Sequence, residues 1–172
     1  MNGVAFPFRF RHAFAAAVAV LLALLSAPAS AVCTVTCSCA VSTTNVVFGT
    51  INPLSLSSTD TAGGVSVTCG GVAGLLIPLT VDISKGTGAS YAARTMSYGA
   101  NKLSYNLYMD SGYSMVFGDA TNGTVDANAA IVIALLGNLT WNIPIYGRVF
   151  GGQTMTVPGP YSDTIAVTLT YY

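Results

Sequence analysis

The side chains that could catalyse a reaction are few, and two carboxylates come first. Asp110 and Asp119 each follow an alternating segment, so they could form an acid–base pair. Aspartate is also common at turn ends, where its side chain accepts backbone hydrogen bonds. We expect the turn role for both, because no G-x-S-x-G elbow or activated lysine accompanies them and the only histidine, His12, lies in an N-terminal leader. The sequence therefore predicts a protein that is not an enzyme.

The cysteines Cys33, Cys37, Cys39 and Cys69 could form disulfides or bind a metal. Their Cys-x3-Cys-x-Cys spacing differs from the usual C-x2-C of zinc sites, so we expect disulfides and neither a metal nor a cofactor. A Cys39–Cys69 bond would close a loop of about 30 residues and stabilise the fold by roughly 3–4 kcal/mol. We favour it as the long-range bond. Pairing Cys33 with Cys37 would require a turn, because strand geometry separates them by about 13 Å.

The N-terminus predicts export. Residues 1–31 combine a basic start, an apolar run over 13–25 and small residues at 29–31, which is typical of a cleaved signal peptide. The apolar run is too short for a lasting membrane span. Residues 32–172 then form one domain with four basic residues against six aspartates. That balance offers no basic face for nucleic acid, and the small number of charges favours self-association.

Short alternating segments between turn residues predict an all-β fold. Candidate strands cover 41–48, 65–69, 75–83, 103–110, 115–119, 143–149 and 155–157. Pro78 suggests that its strand is an edge or carries a bulge. The apolar run 131–136 could be helix or strand by its pattern alone. Short strands at this spacing favour a β-sandwich.

The last segment, 164–172, alternates most strictly. Ile165, Val167, Leu169 and Tyr171 fall on one face of it, and the printed sequence then stops without a turn. A strand at a sheet edge leaves its backbone donors and acceptors open. Either an earlier strand or another polypeptide must cover them.

Five blocks in order resemble the spore coat protein U domain, the subunit family of archaic chaperone–usher fimbriae. The blocks are Cys39-Ala-Val-Ser with Phe48-Gly49 and Asn52-Pro53; Val65-Ser-Val-Thr-Cys69; Leu103-Ser-Tyr105-Asn106-Leu-Tyr108-Met-Asp110 with Val116-Phe-Gly118-Asp119; Tyr146-Gly147-Arg148 with Gly152-Gln153; and Tyr161-Ser-Asp163-Thr-Ile-Ala-Val-Thr-Leu-Thr-Tyr.

The resemblance implies an immunoglobulin-like sandwich that lacks one strand. In similar subunits a periplasmic chaperone lends the missing strand, and in the fibre the N-terminal extension of a neighbouring pilus subunit replaces it at the outer-membrane usher. The expected route runs through the periplasm to the cell surface, with a role in adhesion or biofilm formation. Ile165, Val167, Leu169 and Tyr171 would line the core beside the acceptor groove.

One feature departs from the family pattern. Only seven residues, 32–38, separate the predicted cleavage point from Cys39, and two of them are cysteines. We therefore expect a subunit that accepts a donor strand but donates one poorly. A longer alternating extension grafted onto Val32 should then lengthen the polymers.

Two other functions are compatible with the same residues. A self-contained sandwich could bind a sugar or surface ligand, for example as a tip adhesin, because fold does not determine function. A hydrolase would have to depend on Asp110 or Asp119. Folding without a partner would favour the first, and loss of activity on changing either aspartate to Asn would favour the second.

Overall fold

The computed structural model describes residues 38–52, 54–71, 76–132 and 138–171. In chain order the elements are β1 (Ser38–Thr44), β2 (Thr59–Gly70), β3 (Leu76–Ile83), a 3₁₀ turn (Tyr91–Ala93), β4 (Arg94–Tyr98), β5 (Asn101–Tyr108), β6 (Ala127–Val132), β7 (Asn138–Val149) and β8 (Val167–Tyr171). No helix among these residues has the length and apolar character needed to cross a membrane.

The strands form two antiparallel sheets. The larger has the order β1-β2-β7-β5-β4, and the smaller has the order β6-β3-β8. Alternate residues of the central strands are buried, as in Val65, Val67 and Cys69 of β2, because successive side chains of a strand point to opposite faces. These inward residues pack together between the sheets. The predicted all-β sandwich is confirmed.

A disulfide ties the first strand to the second. Cys39 and Cys69 lie directly opposite each other in the β1–β2 register and are bonded, which confirms the favoured pairing. Cys69 is fully buried, so the bond links the edge strand β1 to the core. Cys33 and Cys37 lie outside the described residues, as does the predicted signal peptide.

Several strand predictions were wrong in extent. The segment 45–49 is not a strand, and 115–119 contributes only isolated bridges at Val116 and Phe117. No strand forms at 155–157, whereas β2 begins at Thr59, six residues before the candidate strand 65–69. In each case the sequence pattern is short, and pairing with a neighbour decides whether a strand forms.

Pro78 lies in a central strand, contrary to the edge or bulge that we expected. It pairs with Ala130 of β6, while the described pairs with β8 stop at Leu79–Tyr171. Because backbone groups alternate in direction along β3, the nitrogen of Pro78 faces the β8 side, one residue beyond the last pair described there. The missing N–H therefore removes none of the described ladder hydrogen bonds.

Candidate functional site

The outer edge of β8 is the first component of the site. Within the described residues β8 pairs only with β3. The Ser84 N–H donates to the Ala166 carbonyl at 2.9 Å, so Ala166 and every second residue after it turn their backbone groups toward β3. The backbone groups of Val167 and Leu169 consequently point the other way. They form a row of donors and acceptors on a free edge.

A cavity of about 780 Å³ lies beside this edge, between the two sheets. Its apolar lining comes from the inner faces of both sheets and includes Val65, Met96, Leu103, Leu107, Ile145 and Ile83. Ile165 and Val167 line it from the β8 side, and Thr156 to Ser162 line it at one end. The cavity therefore combines an apolar interior with an unpaired strand edge.

The segment 45–51, which follows β1, also lines the cavity. Its side chains Val46 and Phe48 are partly buried against the core. They lie over Gly147, where an added Cβ would be 2.5 Å from Val46 Cγ1 and 2.8 Å from Phe48 Cζ. Phe48 also meets Tyr105 edge to face, with ring centroids 6.1 Å apart. Because Gly147 has no side chain, Val46 and Phe48 have room to pack against the core.

The four alternating residues of the last segment are not equivalent. Ile165, Val167 and Leu169 are partly buried and pack against the core, as expected for that face. Tyr171 is 38% exposed and does not line the core. Their role in pairing with another polypeptide stays a prediction.

Asp163 and Tyr105 meet at the cavity wall. The Tyr105 hydroxyl donates to Asp163 Oδ2 at 2.7 Å, and the Thr87 N–H and hydroxyl donate to Oδ1 at 3.0 and 2.9 Å. Burial, followed by the hydrogen bond to Asp163, raises the pKa of Tyr105 far above its ordinary value. Tyr105 therefore remains a neutral hydrogen-bond donor at the wall of the cavity.

A buried arginine that no sequence pattern distinguishes lies next to this region. Arg94 is fully buried and donates to Asn106 Oδ1, the Ser84 carbonyl and the Phe117 carbonyl at 2.8–2.9 Å. Its guanidinium also lies 5.1 Å from the ring centre of Tyr91. Burial lowers the pKa of Arg94. In the sequence, Arg94 has no feature that separates it from the other lysine and arginine residues. Only its tertiary contacts identify it as the buried one.

Asp110 and Asp119 both cap turns. Asp110 Oδ1 accepts hydrogen bonds from the N–H groups of Met115 and Ser114, and the bond from Met115 is the main reason that its pKa is lowered. Asp119 Oδ1 accepts from the N–H and hydroxyl of Thr121, and the hydroxyl bond is the main reason that its pKa is lowered. This geometry fits the turn role that we expected.

Arg148 lies on the outer face of the larger sheet, away from the cavity. It forms a two-pronged ion pair with Asp60 at 2.7 and 2.8 Å and stacks 3.6 Å from the ring centre of Tyr113. Tyr113 in turn meets Tyr108, which pairs with Tyr146 across β5 and β7. These contacts hold the turn after β5 against the sheet.

The remaining motif residues have local roles. Tyr161 lines the cavity end, and its hydroxyl donates to the Val157 carbonyl at 2.8 Å. Gly49 adopts a left-handed φ of 67°. Gly118 packs closely against Thr124, leaving no room for a Cβ. In the described part of the chain no group of three His, Cys, Asp or Glu side chains is placed to hold a metal ion.

Comparison with protein families identifies the chain. A family model described as the Spore Coat Protein U domain matches residues 25–168. Because this match covers most of the chain, the chain belongs to the Spore Coat Protein U domain family. No curated protein matches it by sequence.

Among solved structures, the chain is similar to one from the CsuC–CsuE chaperone–tip adhesion subunit pre-assembly complex of the archaic chaperone–usher Csu pili of Acinetobacter baumannii. The identity is 17% and the TM-score is 0.49. The match covers 79% of this chain and 40% of that one, so the chain spans less than half of its solved neighbour.

Proposed function

We propose that this member of the Spore Coat Protein U domain family is a structural subunit of a secreted fimbria or coat, and that a strand from another polypeptide completes its sandwich. One observation supports this most directly: the free edge of β8 borders an apolar cavity between the sheets. A strand added there would bond to the backbone of Val167 and Leu169. Its alternate side chains would fill the cavity.

The cavity is large for an unoccupied protein interior. Interiors are close-packed, and voids larger than a water molecule are few. A volume of about 780 Å³ instead lies within the range of binding sites. Each apolar side chain that a donor buried there would contribute roughly 1.5–3 kcal/mol. The backbone edge and the cavity thus favour the same occupant, an extended alternating peptide.

The family assignment suggests who provides that strand. During export a periplasmic chaperone would occupy the edge, and at the outer-membrane usher a neighbouring pilus subunit would replace it. The assembled subunit would lie at the cell surface and serve adhesion or biofilm formation. None of these steps requires a catalytic group or a cofactor.

The decisive experiment is the solution mass of the mature protein isolated from the periplasm, with and without co-expression of a periplasmic chaperone of this pathway. We expect a stoichiometric complex when the chaperone is present, and ladders or aggregates when it is absent. A compact, stable monomer in the absence of any partner would contradict strand complementation. It would instead favour a self-contained ligand-binding sandwich.

A further inference from the structure

We propose that Asp163 and Ser84 are positioning residues, which hold the segment 162–166 extended at the cavity wall before any strand arrives. The purpose of this arrangement rests on the proposed function, whereas the arrangement itself can be tested without it. The segment precedes β8 and belongs to no strand. Something other than a regular ladder must therefore fix it.

Ser84 fixes the end of the segment nearest β8. Its backbone N–H donates to the Ala166 carbonyl at 2.9 Å, and its hydroxyl accepts the Ala166 N–H at 3.0 Å. A side-chain oxygen thus takes the place that a backbone carbonyl has in a β ladder. Arg94 holds the other side of Ser84 by donating to its carbonyl at 2.8 Å. The buried guanidinium thereby links Ser84 to the larger sheet.

Asp163 fixes the middle of the segment. Its carboxylate accepts hydrogen bonds from the Thr87 N–H and hydroxyl, the Thr164 N–H and the Tyr105 hydroxyl, all within 2.7–3.0 Å. An ionised carboxylate can only accept, so it suits a site at which every neighbour donates. Gly86 packs against this carboxylate so closely that a Cβ would collide with it. The Asp163 side chain thus hydrogen-bonds both to the loop after β3, through Thr87, and to the cavity wall, through Tyr105.

The third anchor is at the other end, where Ser162 and Ser97 exchange backbone hydrogen bonds at 2.8 and 3.2 Å. With Ser162 turned to β4 and Ala166 turned to β3, the backbone of Ile165 faces the free edge. A wall ordered in advance spares an incoming strand the cost of ordering it. The function of Asp163 and Ser84 is therefore to keep the edge ready for pairing.

Amide hydrogen exchange tests this directly. The mature protein would be compared with Asp163→Asn and Ser84→Ala at low concentration and short labelling times, where association is slow. Asp110→Asn is a matched control, because Asp110 also caps a turn but does not line the cavity. The informative amides in Asp163→Asn are Ser162 and Ala166, since neither bonds to Asp163 itself.

We expect both amides to exchange about tenfold faster in Asp163→Asn, and Ser162 to exchange faster in Ser84→Ala, while core amides such as Val67 and Val149 keep their protection. Asp110→Asn should behave like the wild type. Unchanged exchange at Ser162 in both variants would overturn the proposal, as would an equal acceleration throughout the chain. Should the wild type prove a self-sufficient monomer, strand complementation would fail while this exchange pattern could still hold.

Discussion

At the scale of single residues, Gly147 shows how one missing side chain shapes the site. Val46 and Phe48 occupy the space where its Cβ would stand. We expect Gly147→Ala to destabilise the fold by about 1–3 kcal/mol, because overpacking forces neighbours to shift. Urea unfolding would measure this. Combining it with Val46→Ala should recover part of the loss, and strictly additive effects would show that the two groups do not compete for space.

Arg94 affects the stability of the fold in two ways, through its buried charge and through its hydrogen bonds, and two substitutions can compare them. Its partners are two backbone carbonyls and an amide oxygen, and no carboxylate bonds to it among the described residues. Arg94→Lys would keep a buried charge yet lose the fork that reaches all three acceptors. Arg94→Met would remove the charge as well.

We therefore expect Arg94→Lys to be the more destabilised variant, because an under-solvated buried charge costs more than unsatisfied carbonyls, which cost about 1–3 kcal/mol each. Urea midpoints of the two variants would decide the order. A Lys variant as stable as the wild type would mean that charge alone suffices. If Arg94→Met were the more destabilised variant, the unsatisfied carbonyls would cost more than the buried charge.

Asp60 and Asp82 should give opposite responses to acid. The hydrogen bond from Arg148 holds the pKa of Asp60 below its ordinary value of 3.8, whereas burial raises that of Asp82. A lowered folded pKa means that the stabilisation from Asp60 is present above pH 3.8 and is lost as the pH falls through the folded value. For Asp82 the ionised form is disfavoured in the fold, so its cost at neutral pH is relieved by acid.

Thermal unfolding as a function of pH would compare Asp60→Asn with Asp82→Asn. In Asp60→Asn, stability should fall less steeply below about pH 4 than in the wild type. The effect should be less than about 1 kcal/mol, because the ion pair is exposed. The second should raise the melting temperature at neutral pH. Parallel pH profiles for both variants and the wild type would exclude this assignment.

At the scale of elements, the site depends on which backbone groups β8 turns outward. Val167 directs its N–H to the free edge, while that of Thr168 faces Asp82 across the β3–β8 register. Proline removes a donor and is tolerated only where none is needed. We expect Val167→Pro to fold but to weaken the complex with the chaperone. Thr168→Pro, the matched control, should lose the β3 ladder and unfold more easily.

Circular dichroism and recovery of the complex after co-expression would separate these outcomes. Equal complex formation by Val167→Pro and the wild type would mean that the free edge is not the pairing surface. Equal loss of folding in both proline variants would show that the outer side of β8 is already bonded.

Much of this element pattern could be predicted from the sequence, since alternation identified β5, β7 and β8 and the cysteine count led to the Cys39–Cys69 bond. The segment 45–51 could not be predicted, because it leaves the ladder where Gly147 makes room for it, and that contact is distant in sequence. The Arg94 cluster was missed for the same reason. A local pattern records which face a residue occupies, but not which loops meet there.

At the scale of the whole molecule, the two sheets enclose a cavity that the described chain does not fill. An added strand beside β8 should therefore stabilise the fold as well as link subunits. The simplest way to supply one is a C-terminal extension after Tyr172, in which an Asn-Gly turn leads into seven alternating Val and Thr residues. Such a turn favours a tight hairpin, so the extension would run antiparallel to β8 along its free edge.

We expect this extended protein to be monomeric and more stable than the parent by at least about 2 kcal/mol, since each buried valine contributes roughly 1.5–3 kcal/mol before the cost of ordering the strand is subtracted. A control extension of the same composition, with its alternation scrambled, should leave both stability and association unchanged. Urea unfolding and light scattering would measure the two effects. Equal behaviour of the two extensions would mean that the cavity does not select an alternating strand. Stabilisation by the alternating extension alone would instead indicate that the subunit assembles because its own fold lacks that strand.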